Sequence, residues 1–305
     1  MRTPRSIPDL LPGALVTVRS LRESGVSAAR LSRSDVDRPL RGVVRVGRDM
    51  PPADFAVRVE ALRLILRDGQ FFSRWTAAAI LGIPVRRDDA FLHVGAIRSQ
   101  RPPRRSEIRG HQISAGVLLS GPAPPSFLPH PSDVWALLGA VATQDELVVA
   151  GDYLISGASR WETPVATRDD LAGAALRFAG CSGVGNLARA LPLIRTGVES
   201  PAESRMRLLI VRAGLPEPQT SCPVQVHGRT YVADLGYPHW RIAIEYEGAY
   251  HFANGVEQAR RDNERVEAMR DAGWRVLRMT ALDLRDPRRG IARLRRAIAE
   301  ATVGS

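Results

Sequence analysis

The stretch TYVADLGYPHWRIAIEYEG, residues 230–248, decides how the C-terminal third of the chain folds. Its second half, RIAIEYEG (241–248), alternates with period two, which is the pattern of a strand. Ile242, Ile244 and Tyr246 then point to one face, and Ala243, Glu245 and Glu247 to the other. In the first half, Val232, Asp234 and Gly236 share a face. A hairpin turning at His239 and Trp240 sets Tyr237 opposite Ile242, and therefore Asp234 opposite Glu245. Without a bulge, their Cβ atoms would stand about 4.5–5.5 Å apart. Two acids on one face of an apolar strand repel each other and resist burial. Either that face is wet, or a cation sits against it.

The neighbouring segments supply the rest of a mixed α/β core. Ser200-Pro201-Ala202-Glu203 opens a helix with capping-box spacing and proline at its first position, and Gly214 stops it. CPVQVH and TYVADLGY flank the His227-Gly228 turn as two further strands. After RIAIEYEG come a long helix, VEQARRDNERVEAMRDAG, a strand, WRVLRM, and a last arginine-rich helix, RRGIARLRRAIAEA. The order α-β-β-β-α-β-α describes a mixed sheet flanked by helices, assigned to a domain of residues 199–305.

With 305 residues there is room for two or three cores, and 44% hydrophobic residues argue against disorder. The longest apolar run, VWALLGAVA (134–142), is far short of the roughly 20 residues of a membrane helix, so no membrane partner is expected. The start, MRTPRSIPDLLPG, has no apolar core of a secretory signal. Cys181 and Cys222 form no CxxC pattern, and a reducing cytoplasm fits. Net charge is 43 − 32 = +11, which favours a polyanionic partner. Every one of those 43 cations is an arginine, a bias that genome composition alone can produce.

Residues 1–48 read as a winged helix-turn-helix. ALVTVRSLRESG is a helical pattern with Val16, Val18 and Leu21 inward, Ser27 caps a second helix, and RPLRGVVRVG forms the wing. Arg30 and Arg33 would face a DNA groove from that second helix, unless the pair only packs against its neighbour. Residues 49–198 form a mostly helical α+β middle region. It holds ADFAVRVEALRLILRDG and FSRWTAAAILG as helices, AFLHVGAI and HQISAGVLL as strands, and further helices from PSDVWALL onward. Between the two strands, RSQRPPRRSEIRG is an arginine-laden loop that either holds phosphates or is simply solvated. GCSGVGNLARA looks like a dinucleotide-binding turn, but no strand precedes it, so it reads as a loop between helices.

The acids carry the chemistry. No basic residue lies on either strand between Asp234 and Glu245, and Glu247 adds a third charge one step along. Mg²⁺ or Mn²⁺ would turn that repulsion into coordination, since hard ions take carboxylate oxygens together with water and substrate phosphate. Asp262 lies on the inward stripe Ala259, Asp262, Val266, Met269, and either joins this cluster or pairs with Arg261 or Arg265. Glu203 is either a helix-capping residue or a further acid of the site. Gly248 lets the chain turn, and His251 behind it either moves protons or is merely exposed.

Three segments together, ESPAESRMRLLIVRAGLPEP, VADLGYPHWRIAIEYEGAYH and RRDNERVEAMRDAGWRVLRM, resemble the endonuclease-like domains related to the very-short-patch-repair endonuclease, within the PD-(D/E)XK superfamily. The resemblance spans residues 200 to about 298. It implies a restriction-endonuclease-like core with Asp234 and Glu245 as metal ligands and Glu203 as the helix-borne acid. His251 and Asp262 match the family's recurrent histidine and aspartate. Residues 14 to about 158, through TAAAILGIP and ELVVAGDYLIS, are similar to antitoxin-like winged-helix regions of actinobacterial proteins. One departure stands out: the superfamily's lysine falls at Glu247, and the nearer relatives carry aspartate there.

These readings converge on a Mg²⁺-dependent DNA endonuclease in which Asp234, Glu245 and Glu247 hold the ion. His251 would transfer protons, and Arg261, Arg265 or Arg278 would contact phosphate. The alternative is an antitoxin-type DNA-binding regulator with a silent nuclease-like domain.

Overall fold

The computed structural model describes residues 13–47, 50–86, 90–114, 116–157, 163–248 and 255–303. The chain divides into two compact units, one of residues up to 81 with 87–137, the other of 82–86 with residues from 138 on. Among the described residues, no helix is long and apolar enough to cross a membrane.

The first unit opens with β1 (Leu15–Thr17), α1 (Val18–Glu23), α2 (Ala28–Leu31) and the hairpin β2 (Val36–Leu40) and β3 (Val43–Val46). The strands form a sheet of order β1-β3-β2, closed over Leu21, Leu31, Val36 and Val44. Residues 15–17, expected to be helical, are a strand: Val16 and Thr17 are β-branched and pair with Val44 and Val43. Thr17 and Ser27 cap the two helices, each side chain accepting the backbone N–H three residues on. Next come α3 (Phe55–Arg63), β4 (Gln70–Phe72), α4 (Arg74–Ile80), β5 (Leu92–Ile97), β6 (Ile108–Ile113) and α5 (Pro131–Leu138). A second sheet has the order β4-β5-β6. The strand expected from His111 starts earlier, at Ile108, because residues 108–113 pair in parallel with 92–97.

In the second unit α6 (Gln144–Ile155), α7 (Arg168–Arg177) and α8 (Val184–Ala190) precede α9 (Pro201–Arg212). Then follow β7 (Gln219–Val226), β8 (Arg229–Tyr237), β9 (Ile242–Glu247), α10 (Gly255–Asp271), β10 (Arg275–Thr280), α11 (Ala281–Arg285) and α12 (Arg288–Val303). The sheet order is β10-β9-β8-β7, antiparallel except for the parallel β9–β10 pair. Alternation along β9 divides the core. Ile242 and Ile244 pack with Met206 and Ile210 of α9 and Ile291 and Leu294 of α12. Ala243 packs instead with Val266 and Met269 of α10. Each fully buried isoleucine contributes about 1.5–3 kcal/mol. Gly183 separates α7 from α8 with φ +90°, and a Cβ there would lie 2.1 Å from the Gly139 carbonyl carbon.

The helices α6, α7 and α8, read from sequence as part of a middle region ending at 198, share this unit with residues 199–305. A buried polar network ties them. Asp152 of α6 accepts from Arg207 Nη2 (2.9 Å), Ser204 Oγ (2.8 Å) and the Arg195 backbone N–H (2.7 Å). The Asp152 and Arg207 side chains are 0% and 1% exposed, so neither charge has water to fall back on. Burial nonetheless holds the Asp152 carboxyl above the usual carboxylate range, against the lowering effect of Arg207.

Candidate active site

The turn Pro238–Trp240 closes with Arg241 at φ +49°, and it sets the expected register: Tyr237 with Ile242, Gly236 with Ala243, Leu235 with Ile244. The ladder stops there. One step on, the Asp234 carboxylate takes over the hydrogen bond, accepting the Tyr246 backbone N–H at 2.6 Å. The assumed face alternation also slips at this point. Tyr231 and Ala233 pack with the α10 cluster, whereas Leu235 and Tyr237 pack with the α9 and α12 cluster. Opposite Asp234, Ser221 has a left-handed φ of +42°, and the β7–β8 pairing omits these two residues. Val232, Asp234 and Gly236 therefore do not form one continuous face. Asp234 sits where β8 changes phase and parts from β9.

Glu203 comes from the first turn of α9 and is 6% exposed. Ser200 Oγ accepts its backbone N–H at 3.3 Å, and its Oε2 reaches past the cap to accept the Glu199 N–H at 2.8 Å. The Glu203 carboxyl is pushed up from 4.5 to about 7, by burial first and then by the charge of Asp234, against the opposing hydrogen bonds. The structure therefore brings Glu203 and Asp234 together.

Glu245 answers the opening alternative: a cation does sit against that face. Arg265 of α10 grips the carboxylate with Nη1 at 3.2 Å from Oε1 and Nη2 at 2.7 Å from Oε2, and Nη1 also donates to the Val232 carbonyl at 2.9 Å. Glu247 is exposed, with Arg278 Nη1 3.6 Å away. Arg278 also donates to Asn263 Oδ1 at 3.1 Å. The acids thus form two groups: Glu203 with Asp234, and Glu245 and Glu247 each beside an arginine. Sequence reasoning proposed Arg265 and Arg278 for phosphate and missed both pairings. The one signal for Arg265 was its place next to the inward Val266.

The remaining expectations fall as follows. Gly248 has no left-handed φ; a Cβ there would come 3.3 Å from the Tyr246 ring, so close approach is its constraint. His251 lies outside the described residues, as does the side chain of Asp262. Arg261 is exposed on α10. Arg30 is engaged by Asp35 at 3.0 and 2.8 Å and largely buried, while Arg33 stands exposed just past α2. Of the two arginines proposed for a DNA groove, Arg33 is the accessible one.

The donor chemistry fits a hard divalent ion: the candidate ligands are carboxylates, and the Glu203–Asp234 repulsion marks a place short of positive charge. Among the described residues, no group of three or more acidic, histidine or cysteine side chains forms a ready-made cage. Mg²⁺ needs only one or two carboxylates when water and phosphate complete the shell. Glu245 could join that shell by giving up Arg265 or by sharing an oxygen with it, since each carboxylate oxygen has two lone pairs.

No family model matches the chain. It is 30% identical over 138 residues to "Uncharacterized protein MT2308" of Mycobacterium tuberculosis (strain CDC 1551 / Oshkosh) and, by the same figures, to "Uncharacterized protein Rv2248" of strain ATCC 25618 / H37Rv. The match covers 45% of this chain and 51% of each relative, so the chain spans about half the length of the curated relatives it matches. The crystal structure of the RV2827C protein from M. tuberculosis superposes with a TM-score of 0.36 at 15% identity, covering 61% of this chain and 80% of that one.

Proposed function

We propose that this protein is a divalent-metal-dependent endonuclease that hydrolyses DNA phosphodiester bonds, with a restriction-endonuclease-like core at residues 199–305 and a winged helix at its start. The observation that carries the reading is the meeting of Glu203 and Asp234 where β8 and β9 part, with Glu245 and Glu247 next along β9. Asp234 and Glu245 would hold Mg²⁺ or Mn²⁺, with Glu247 at the edge of the shell. When bound, the ion would supply Lewis acidity toward a water molecule and the phosphate oxygens.

The chain's own residues do the rest. Asp234 is held in place by the Tyr246 N–H. Glu203 adds charge that only a cation makes tolerable in a buried position. Arg278, on β10 beside Glu247, is placed to draw a phosphate to the strand ends.

A second reading, an antitoxin-type DNA-binding regulator with a silent nuclease-like domain, is favoured by one observation. Arg265 already occupies both oxygens of Glu245. Incubating the protein with a labelled duplex in Mg²⁺, Mn²⁺ or chelator separates the two. Metal-dependent strand breaks support the enzyme; a duplex that is bound and stays intact in both metals supports the regulator.

A further inference from the structure

The arginine loop between β5 and β6 is left unexplained by the site above, and in the first unit it lines a cavity of about 330 Å³. Arg101, Arg104 and Arg105 come from the loop, Arg67 from the turn before β4, and Pro102 and Pro103 stiffen one wall. None of the residues lining it is acidic. Gln70, 6% exposed, ties the two arginine-bearing segments together: its Oε1 accepts the Arg67 backbone N–H (3.1 Å) and its Nε2 donates to the Arg101 carbonyl (2.8 Å). The cavity is therefore built by a buried side chain and does not depend on chance apposition of surface residues.

Among the described residues, Arg105 Nη1 is buried and has no hydrogen-bond partner. Burial, and the like charges of Arg41 and Arg67, lower the Arg105 pKa against the opposing pull of Glu107. A guanidinium N–H without an acceptor costs free energy, and an anion in the cavity would remove that cost. The same nitrogen lies 3.5 Å from where a Cβ of Gly42 would be, so it rests against the β2–β3 turn that also carries the exposed Arg41. Gly42 has φ +90°, which keeps the turn tight and free of side chain at this contact.

We propose that this cavity binds a phosphate group, and that its source is the backbone of DNA held along the β2–β3 hairpin. At about 330 Å³ it lies at the small end of ligand sites, with room for a phosphate and its sugar. Fixed guanidinium groups suit phosphate through paired N–H donors. The DNA source rests on the function proposed above; the phosphate chemistry does not.

The test uses the full chain and the double variant Arg101→Gln, Arg104→Gln, which changes two exposed side chains and leaves Arg105 and Gln70 in place. Duplex binding is followed by fluorescence anisotropy across salt concentrations, and thermal melting is followed with and without inorganic pyrophosphate. The expected result is a salt slope smaller by about two units in the variant, with weaker binding. Pyrophosphate should raise the melting temperature of wild type and leave the variant unmoved. An unchanged duplex slope with pyrophosphate protection lost would overturn the DNA source in favour of a free phosphate compound. An unchanged slope and unchanged protection would overturn the phosphate site altogether. Wild type that binds no duplex refutes the proposed function, and the pyrophosphate arm still decides the cavity.

Discussion

Replacing Glu203 with glutamine should make the protein more stable at neutral pH, and the gain should vanish in acid. In the folded chain the carboxyl is pushed up from 4.5 to about 7. Between those values the native state holds a proton that the unfolded state has lost, so stability falls as pH rises. The contribution of the protonated carboxyl is fully present below about pH 4.5 and lost as pH passes through about 7. Some 2.5 pH units at about 1.4 kcal/mol each amount to about 3 kcal/mol. Glutamine cannot ionise, keeps an oxygen for the Glu199 N–H, and escapes the repulsion from Asp234. Urea unfolding of both proteins at several values between pH 4 and 8 measures this directly, because titrating groups that do not interact with Glu203 cancel in the difference. The Glu203→Gln gain should grow by about 3 kcal/mol across that range. Parallel stability curves would refute the reasoning, for they would mean that Glu203 is neither desolvated nor facing Asp234.

Three more outcomes follow from the same contacts. Arg265→Met should cost about 3 kcal/mol by taking from the buried Glu245 carboxylate the guanidinium that grips both its oxygens, and Arg265→Met with Glu245→Gln should cost less than the sum by about 2 kcal/mol in a double-mutant cycle. If Arg265 competes with the ion for Glu245, Mg²⁺ should also raise the melting temperature of Arg265→Met more than that of wild type, and equal shifts would show that it does not compete. Asp234→Asn should abolish the Mg²⁺-induced rise in melting temperature while retaining an oxygen for the Tyr246 N–H; an undiminished rise would remove Asp234 from the site. Asp152→Ala should destabilise the second unit by about 2–3 kcal/mol, since it removes one of the two carboxylates paired with the buried Arg207 and leaves Glu217, and a loss under 1 kcal/mol would show the network to be dispensable.

Much of the second unit was legible because its signals are local. The period-two runs gave the strands, the Ser200–Glu203 spacing gave the start of α9, and the short link at 238–241 set the β8–β9 register. What escaped depends on pairs far apart in sequence. Nothing in EYEG or in NERVEA announces that Arg265 will take Glu245, twenty residues away. Likewise, Asp152 in ELVVAGDYLIS carries no mark of Arg207, fifty-five residues on, so α6 and its neighbours were assigned apart from the C-terminal sheet. The phase change at Asp234 was hidden because the irregularity that accompanies it, the left-handed Ser221, lies on the partner strand in a residue with no turn signature. In the first unit, Arg30 looked available on its helix, but Asp35 follows it closely enough to hold it. The carboxylates Glu203, Asp234, Glu245 and Glu247 were singled out from sequence. Their partners were not.

The central claim, that the β8–β9 acids hold an ion that cuts DNA, is tested most directly by nicking of supercoiled plasmid in Mg²⁺ or Mn²⁺. Wild type, Glu245→Gln and Glu247→Asp should be purified side by side for this. Wild type should convert supercoiled to open-circular plasmid, chelator should stop it, and Glu247→Asp should nick at least as well. Glu245→Gln should not nick, because a neutral amide is a poor ligand for a hard ion. Plasmid left supercoiled by wild type and by Glu247→Asp in both metals would contradict the claim, and so would nicking that persists undiminished in Glu245→Gln.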